Sequence, residues 1–184
     1  MRWRLSTSDG RLVAKDIPQA TVYPHRVLFK NSYIEADEGT AVVETWVKSP
    51  CDQTVQAWIG ATGFARSNGR WVDGPVPAAG EWNRHGATVE VNGEKVKAPM
   101  WAHSGLKGKE SREVPPVDEE YFYRPPSAIR LRAGWNHVKL TLPKPKTDFE
   151  GQKWLGTFIP IAGDSEHPRE LPDLVYSSSP QVSF

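Results

Sequence analysis

The sequence predicts an all-β fold, an antiparallel β-sandwich of about eight strands with little helix. One observation is the hairpin in residues 87–99, where apolar and polar residues alternate around Asn92-Gly93, a pair that favours a type I′ turn. Another is the strand–turn–strand unit in residues 131–142, which turns at Ala133-Gly134 and then places valine and leucine on one face. The 16 prolines also disfavour helices and suit short strands joined by ordered loops.

The remaining strands are predicted from the same alternation. Residues 41–47 and 54–60 each place apolar side chains on one face, and because a short turn separates them we expect an antiparallel pair. Residues 154–161 are predicted to form a closing strand. Residues 1 to about 30 are expected to give one edge strand and an irregular lead-in, and residues 164–184 a surface tail. These segments indicate a single domain over residues 1–184.

The predicted core consists of apolar positions that share a face in these strands, and we expect it to fold without a metal ion or a disulfide bond. These positions are Val43, Val47, Val55, Ile59, Val89, Val91, Ile129, Leu131, Val138, Leu140 and Ile159. Because Cys51 is the only cysteine, no internal disulfide framework can form, and reductant should leave the melting temperature unchanged.

Charge and hydropathy exclude several classes of partner. The chain has 23 basic and 22 acidic residues without a basic run, so nothing recruits nucleic acid or an anionic membrane by charge. No run of roughly 18 apolar residues could span a membrane, and no apolar segment near Met1 has the form of a signal peptide. The five histidines lack the spacing of paired metal ligands, so no metal site and no cofactor are predicted.

A series of motifs runs in one order through residues 45–158, most of the chain. The motifs are TWVKSP (45–50), QTVQAWI (53–59), FARS (64–67), GEWN (80–83), VEVNGEKV (89–96), PMW (99–101), YFYRPP (121–126), GWNHVKLTLP (134–143) and KW (153–154). Taken together, they resemble the C-terminal domain of bacterial family 20 glycoside hydrolases, the β-N-acetylhexosaminidases of the Bacteroides type. The hairpin and the Gly-Trp-Asn strand are also general features of galactose-binding-like jelly rolls.

This resemblance implies a jelly-roll accessory domain that accompanies the catalytic barrel of a parent enzyme, in a secreted, periplasmic or cell-surface setting. The family's active site is an adjacent Asp-Glu pair at the end of a barrel strand. Here the only such pairs are Asp37-Glu38 and Asp118-Glu119, and neither lies in a buried apolar strand. The chain is also too short to hold a (β/α)8 barrel in addition. We therefore predict no catalytic residues and no enzymatic activity for the isolated chain.

The candidate binding residues lie in or beside two long loops. Sugar rings pack on aromatic faces, and arginine and asparagine bond sugar hydroxyls, so aromatic and polar neighbours in these loops predict a carbohydrate site. The candidates are Trp71, Trp82, Trp101, Tyr121, Tyr123, Arg124, Arg66 and Asn83. The expected ligand is a glycan that contains N-acetylhexosamine. The alternative is that these rings plug one end of the sandwich or brace a catalytic barrel.

The second long loop also carries a group of acidic residues, which are Glu110, Glu113, Asp118, Glu119 and Glu120. We interpret them as a solvated surface. One alternative is a structural calcium ion, which would take carboxylate oxygens. The other is a pair of glycosidase carboxylates, which would make the chain a small glycan-active enzyme.

Overall fold

The computed structural model describes residues 1–24, 39–61, 77–101, 125–144, 154–163 and 169–181, and in these residues the fold is all-β. All strand pairs are antiparallel, and two sheets form, as expected for a sandwich. The strands are β1 (Trp3–Thr7), β2 (Leu12–Ile17), β3 (Thr21–Val22), β4 (Thr40–Ser49), β5 (Gln53–Gly60), β6 (Thr88–Val91), β7 (Glu94–Lys95), β8 (Ser127–Leu131), β9 (Gly134–Pro143), β10 (Gly156–Ile161) and β11 (Val175–Ser177).

One sheet has the order β2-β1-β4-β9-β6-β7, with β11 also paired to β4, and the other has the order β3-β10-β5-β8. Strand β4 is the centre of the larger sheet, since it pairs with β9 along its whole length. On its other side β4 pairs with β1 at residues 41–44 and with β11 at residues 46–48. The buried Thr45 hydroxyl lies between these two strands and donates to the carbonyl of Arg2 at 2.7 Å.

The predicted hairpin is confirmed. Strands β6 and β7 pair antiparallel through Val91↔Glu94. Asn92 has φ of 53° and Gly93 of 80°, the two left-handed residues that a type I′ turn needs.

The expected pairing of β4 with β5 is wrong, because these strands lie in different sheets. Strands β8 and β9, on either side of the Ala133-Gly134 turn, likewise belong to different sheets. Both turns therefore cross from one sheet to the other. The Asp52 carboxylate in the first turn accepts the Ala133 N–H in the second at 2.7 Å, which ties the two crossings together. Alternation in the sequence identifies the buried face of a strand but does not identify its partner.

The N-terminal segment is more ordered than the predicted edge strand with an irregular lead-in. It contributes three strands, and β1 is internal, with β2 on one side and β4 on the other. Trp3 and Leu5 of β1 are fully buried. The pairing of β1 with β2 shifts register twice, and Asp16 has a φ of 59°. Such irregularities break the period of two on which strand prediction depends.

The predicted core is confirmed at every position except Ile159, which is half-buried. The register of β10 on β5 explains the error. Phe158 lies opposite Ile59 of the core, whereas Ile159 lies opposite Trp58 on the other face. Phe158 is therefore the core residue of this strand, and it is fully buried.

Candidate functional site

Three of the eight predicted site residues fall within the described ranges, and all three are buried. Trp82 and Asn83 are each 4% exposed and Trp101 is 7% exposed. The other five, together with the acidic group of the second long loop, lie outside the described residues. They are Arg66, Trp71, Tyr121, Tyr123 and Arg124.

The two buried indoles hold neighbouring segments together. The Trp82 Nε1–H donates to the carbonyl of Val96 at 3.0 Å, and the Trp101 Nε1–H donates to the carbonyl of Glu81 at 3.2 Å. The segment before β6 is thus fastened to the chain that leaves the hairpin. For these two rings, burial favours the packing alternative over an open sugar platform.

Asn83 serves the same segment. Its Oδ1 accepts the N–H groups of His85 and Ala87, both at 2.9 Å, and its Nδ2 donates to the carbonyl of Ala61 at 3.1 Å. A side chain with these three partners fixes the chain where it enters β6. Asn83 is therefore a structural residue in its described surroundings.

Beside this segment a cleft of about 590 Å³ opens between β7, the last strand of the larger sheet, and β8, the last strand of the smaller one. We call it the edge cleft. Its apolar lining comes from both sheets and from two prolines, namely Val91, Val96, Ile129, Pro99 and Pro126. Because each of these strands has a neighbour on one side only among the described strands, backbone polar groups of two sheet edges border the cleft.

The charged lining of the edge cleft is mostly basic. Lys95 and Lys97 come from the hairpin side and Arg130 and Arg132 from the β8 side. Among the described residues of the lining, Glu94 is the only one with a carboxylate, and it forms an exposed 4.0 Å ion pair with Arg132. The lining therefore carries three more positive than negative charges, although the whole chain has a net charge of only +1.

A buried amide holds the two walls of the edge cleft in register. The Nδ2 group of the fully buried Asn136 donates to the carbonyls of Val47, Arg132 and Gly134 at 3.2, 2.8 and 3.1 Å. Its Oδ1 accepts from Asn92 Nδ2 at 2.8 Å and from the Arg132 N–H at 2.9 Å. The hairpin turn and the β8–β9 turn are thus joined through one side chain.

The floor of the edge cleft includes a polar group that lacks a partner. Ser127 is 8% exposed, and its hydroxyl makes no hydrogen bond within the described part of the protein. A buried hydroxyl without a partner is costly, and an ordered water is the usual partner of such a group.

A second surface lies on the face of the larger sheet that points away from the core. Trp46 and His137 stack there with ring centroids 4.8 Å apart, and His137 Nε2 lies 2.7 Å from Glu44 Oε2. The hydrogen bond from His137 holds the pKa of the Glu44 carboxyl below its ordinary value. Trp46 is buried, so its ring is not an open platform.

Sequence reasoning missed the edge cleft because its cations come from segments about 35 residues apart, which the sandwich brings together. A usable signal was nevertheless present. Lys95 and Lys97 are spaced by two residues, as are Arg130 and Arg132, which is the spacing of side chains on one side of an extended chain.

Comparison with models of known protein families gives no match, and comparison with curated proteins gives no significant relative. Within the described ranges, no cluster of three His, Cys, Asp or Glu side chains is arranged to hold a metal ion. The same residues contain no helix with the length and hydropathy needed to cross a membrane.

Proposed function

We propose that this chain is a non-catalytic accessory module of a glycoside hydrolase of the β-N-acetylhexosaminidase type, and that it binds a glycan containing N-acetylhexosamine. Its partner is then the catalytic barrel of the parent enzyme, in a secreted, periplasmic or cell-surface setting. The observation that carries the proposal is the edge cleft, a concave site of about 590 Å³ between the edge strands of the two described sheets.

The size and lining of the edge cleft suit a short oligosaccharide. Small-molecule sites typically enclose about 300–1,000 Å³ and combine apolar walls with a few orienting polar groups. The two prolines and Val96 supply apolar surface, while the Arg130 guanidinium supplies N–H groups that bond hydroxyls. In the sequence, the predicted site residue Arg124 precedes the cleft residue Pro126 by two positions. The remaining loop aromatics, Trp71, Tyr121 and Tyr123, stay as predicted contacts.

The lining also supports a binding role over a hydrolytic one. Most glycosidases use two carboxyl groups on either side of the scissile bond. The described lining of the edge cleft has one, that of Glu94, which is exposed and paired with Arg132. Hydrolysis of an aryl β-N-acetylglucosaminide by the purified chain, above a heat-inactivated control, would contradict the non-catalytic assignment.

A blocking variant tests the glycan-binding proposal. Ala128 is exposed and lines the edge cleft, so Ala128→Trp should fill it without disturbing the core. Ala79→Trp, at an exposed position outside the cleft, is the matched control. We expect a dissociation constant of roughly 0.1–1 mM for a chitin oligosaccharide, since an open site gains few contacts. By calorimetry, A128W should abolish binding and A79W should preserve it.

The alternative function, bracing of the catalytic barrel, gives a different result in the same assay. A brace binds no oligosaccharide in either variant but forms a complex with the separately expressed barrel. The absence of binding across a range of N-acetylhexosamine oligosaccharides would therefore contradict the glycan proposal and support bracing.

A further inference from the structure

The basic lining of the edge cleft limits what kind of glycan suits it. We infer that the preferred ligand is an acidic glycan, whose uronate carboxylate or sulfate groups bind between the hairpin lysines and the β8 arginines. This inference rests on the proposed function, and it names the chemical class of the ligand for that same site.

Positive charge is concentrated in the edge cleft. Lys95, Lys97, Arg130 and Arg132 line one cleft of about 590 Å³ in a chain that is otherwise close to neutral. A cleft lined by charges of one sign between low-dielectric walls focuses the field and raises the local concentration of ions of opposite charge. A neutral sugar gains nothing from that field, whereas an acidic sugar gains both affinity and rate of association.

The cations lie on both walls of the edge cleft. The lysines lie in the hairpin and the chain that leaves it, and the arginines lie at β8 and the turn after it. Guanidinium groups bind carboxylate and sulfate through paired N–H donors, while ammonium groups act as point charges without a fixed direction. Both walls of the cleft therefore offer cations to the acidic groups of a bound glycan.

The cations of the edge cleft are only weakly neutralised by carboxylates of the described structure. Among the described cations, the Glu94 carboxylate forms an ion pair only with the Arg132 guanidinium, at 4.0 Å. Both side chains are mostly exposed. Exposed pairs of this kind contribute little, so a ligand anion can replace Glu94 at small cost. Lys95, Lys97 and Arg130 take part in no ion pair of the described structure.

Nucleic acid is a poorer fit for the same cations. Single-strand binding depends on aromatic platforms along a basic groove, and the described lining of the edge cleft contains no aromatic side chain. A backbone of closely spaced phosphates also calls for a basic surface that extends beyond one short cleft.

The test compares oligosaccharides of equal length and different charge. Calorimetric titrations at low salt should use a hyaluronan hexasaccharide and a chondroitin sulfate hexasaccharide as acidic probes, with chitohexaose as the neutral one. We expect the acidic probes to bind at least about tenfold more tightly, an advantage that shrinks as salt is added.

The double variant Lys95→Gln/Lys97→Gln, which keeps Arg130 for the sugar hydroxyls, should remove most of that advantage and leave chitohexaose affinity within about twofold. Lys15→Gln is the matched control, because Lys15 is exposed on β2 at the opposite edge of the same sheet. Equal affinity for chitohexaose and hyaluronan would overturn the inference and leave the proposed function standing. Binding of neither would overturn the proposed function itself. If single-stranded DNA bound as tightly as the acidic oligosaccharides, the cleft would bind anions nonspecifically, and the inference would also be overturned.

Discussion

At the scale of single residues, the side chain of Asn136 joins two turns and a strand through its hydrogen bonds. It is a fully buried amide, and all its polar atoms are bonded, to two turns and to strand β4. The alternation of β9 places Asn136 on the same buried face as Val138 and Leu140, but its hydrogen-bond partners lie in distant segments that no local pattern identifies. The Asn92-Gly93 turn, in contrast, was predictable, because few residue pairs tolerate two positive φ angles.

Replacement of Asn136 by aspartate should destabilise the protein strongly. The carboxylate keeps the shape of the amide but would face the carbonyls of Val47, Arg132 and Gly134 without a proton to donate. We expect a loss of about 3 kcal/mol or more, since each unpaired buried group costs about 1–3 kcal/mol. Urea unfolding of Asn136→Asp measures this. Gln181→Glu, the same chemical change in the C-terminal segment, should cost less than about 1 kcal/mol, and equal losses would contradict the assigned role.

Gly156 of β10 packs closely against Leu140 and Leu142 of β9, in the other sheet. A Cβ atom there would lie 2.7 Å from Leu142 Cδ1 and 3.2 Å from Leu140 Cδ2, and both leucines are buried. Gly156→Ala should therefore destabilise the sandwich by about 1–3 kcal/mol through overpacking. The control is Gly39→Ala, where a Cβ meets nothing within 4 Å. Thermal unfolding of both variants checks the prediction, which fails if G156A melts with G39A.

The His137–Glu44 pair predicts a dependence of stability on pH. Because the hydrogen bond from His137 lowers the pKa of Glu44 in the folded protein, this carboxylate stabilises the fold above its ordinary pKa of 4.5. That stabilisation is lost as the pH falls through the lowered pKa. In urea unfolding, wild type should exceed Glu44→Gln near neutral pH, and the difference should vanish in acid. A difference that grows in acid would contradict this sign.

At the scale of elements, the sequence predicted strands better than their partners. The alternation in β4 and β5 correctly gave both buried faces, yet the turn between them crosses to the other sheet. The sheet that each strand joins depends on contacts between distant segments, such as the hydrogen bond of Asp52 with Ala133, and no local pattern encodes these contacts. The same limit applies to the edge cleft, where sequence reasoning found the hairpin and β8 but not their juxtaposition.

The buried Trp82 should act as a structural element of the loop before β6. Removal of its ring would leave a cavity and unpair the carbonyl of Val96, so Trp82→Ala should cost about 3–5 kcal/mol. Trp135→Ala, at a half-buried position on the outward face of β9, should cost less than half as much. The two melting temperatures decide the question. A smaller loss for W82A than for W135A would return Trp82 to the list of candidate sugar platforms.

At the scale of the whole molecule, the edge cleft lies away from the first and last described strands in the order of the larger sheet. Strands β1 and β11 share one side of β4, whereas β7 lies beyond β9 and β6 on the other side. Contacts made through the first and last described strands would therefore lie on the other side of β4 from the edge cleft. This arrangement suits a module that binds glycan while it is attached to, or packed on, a larger enzyme.

The most direct test of this account is amide chemical-shift mapping of the intact chain during titration with an N-acetylhexosamine oligosaccharide. We predict saturable shifts centred on Asn92, Ala128 and Arg130 of the edge cleft, with Lys15 on β2 unaffected. Shifts centred instead on Trp46 and His137 of the outward face, or no shifts at millimolar ligand, would contradict the assignment of the edge cleft as a glycan site.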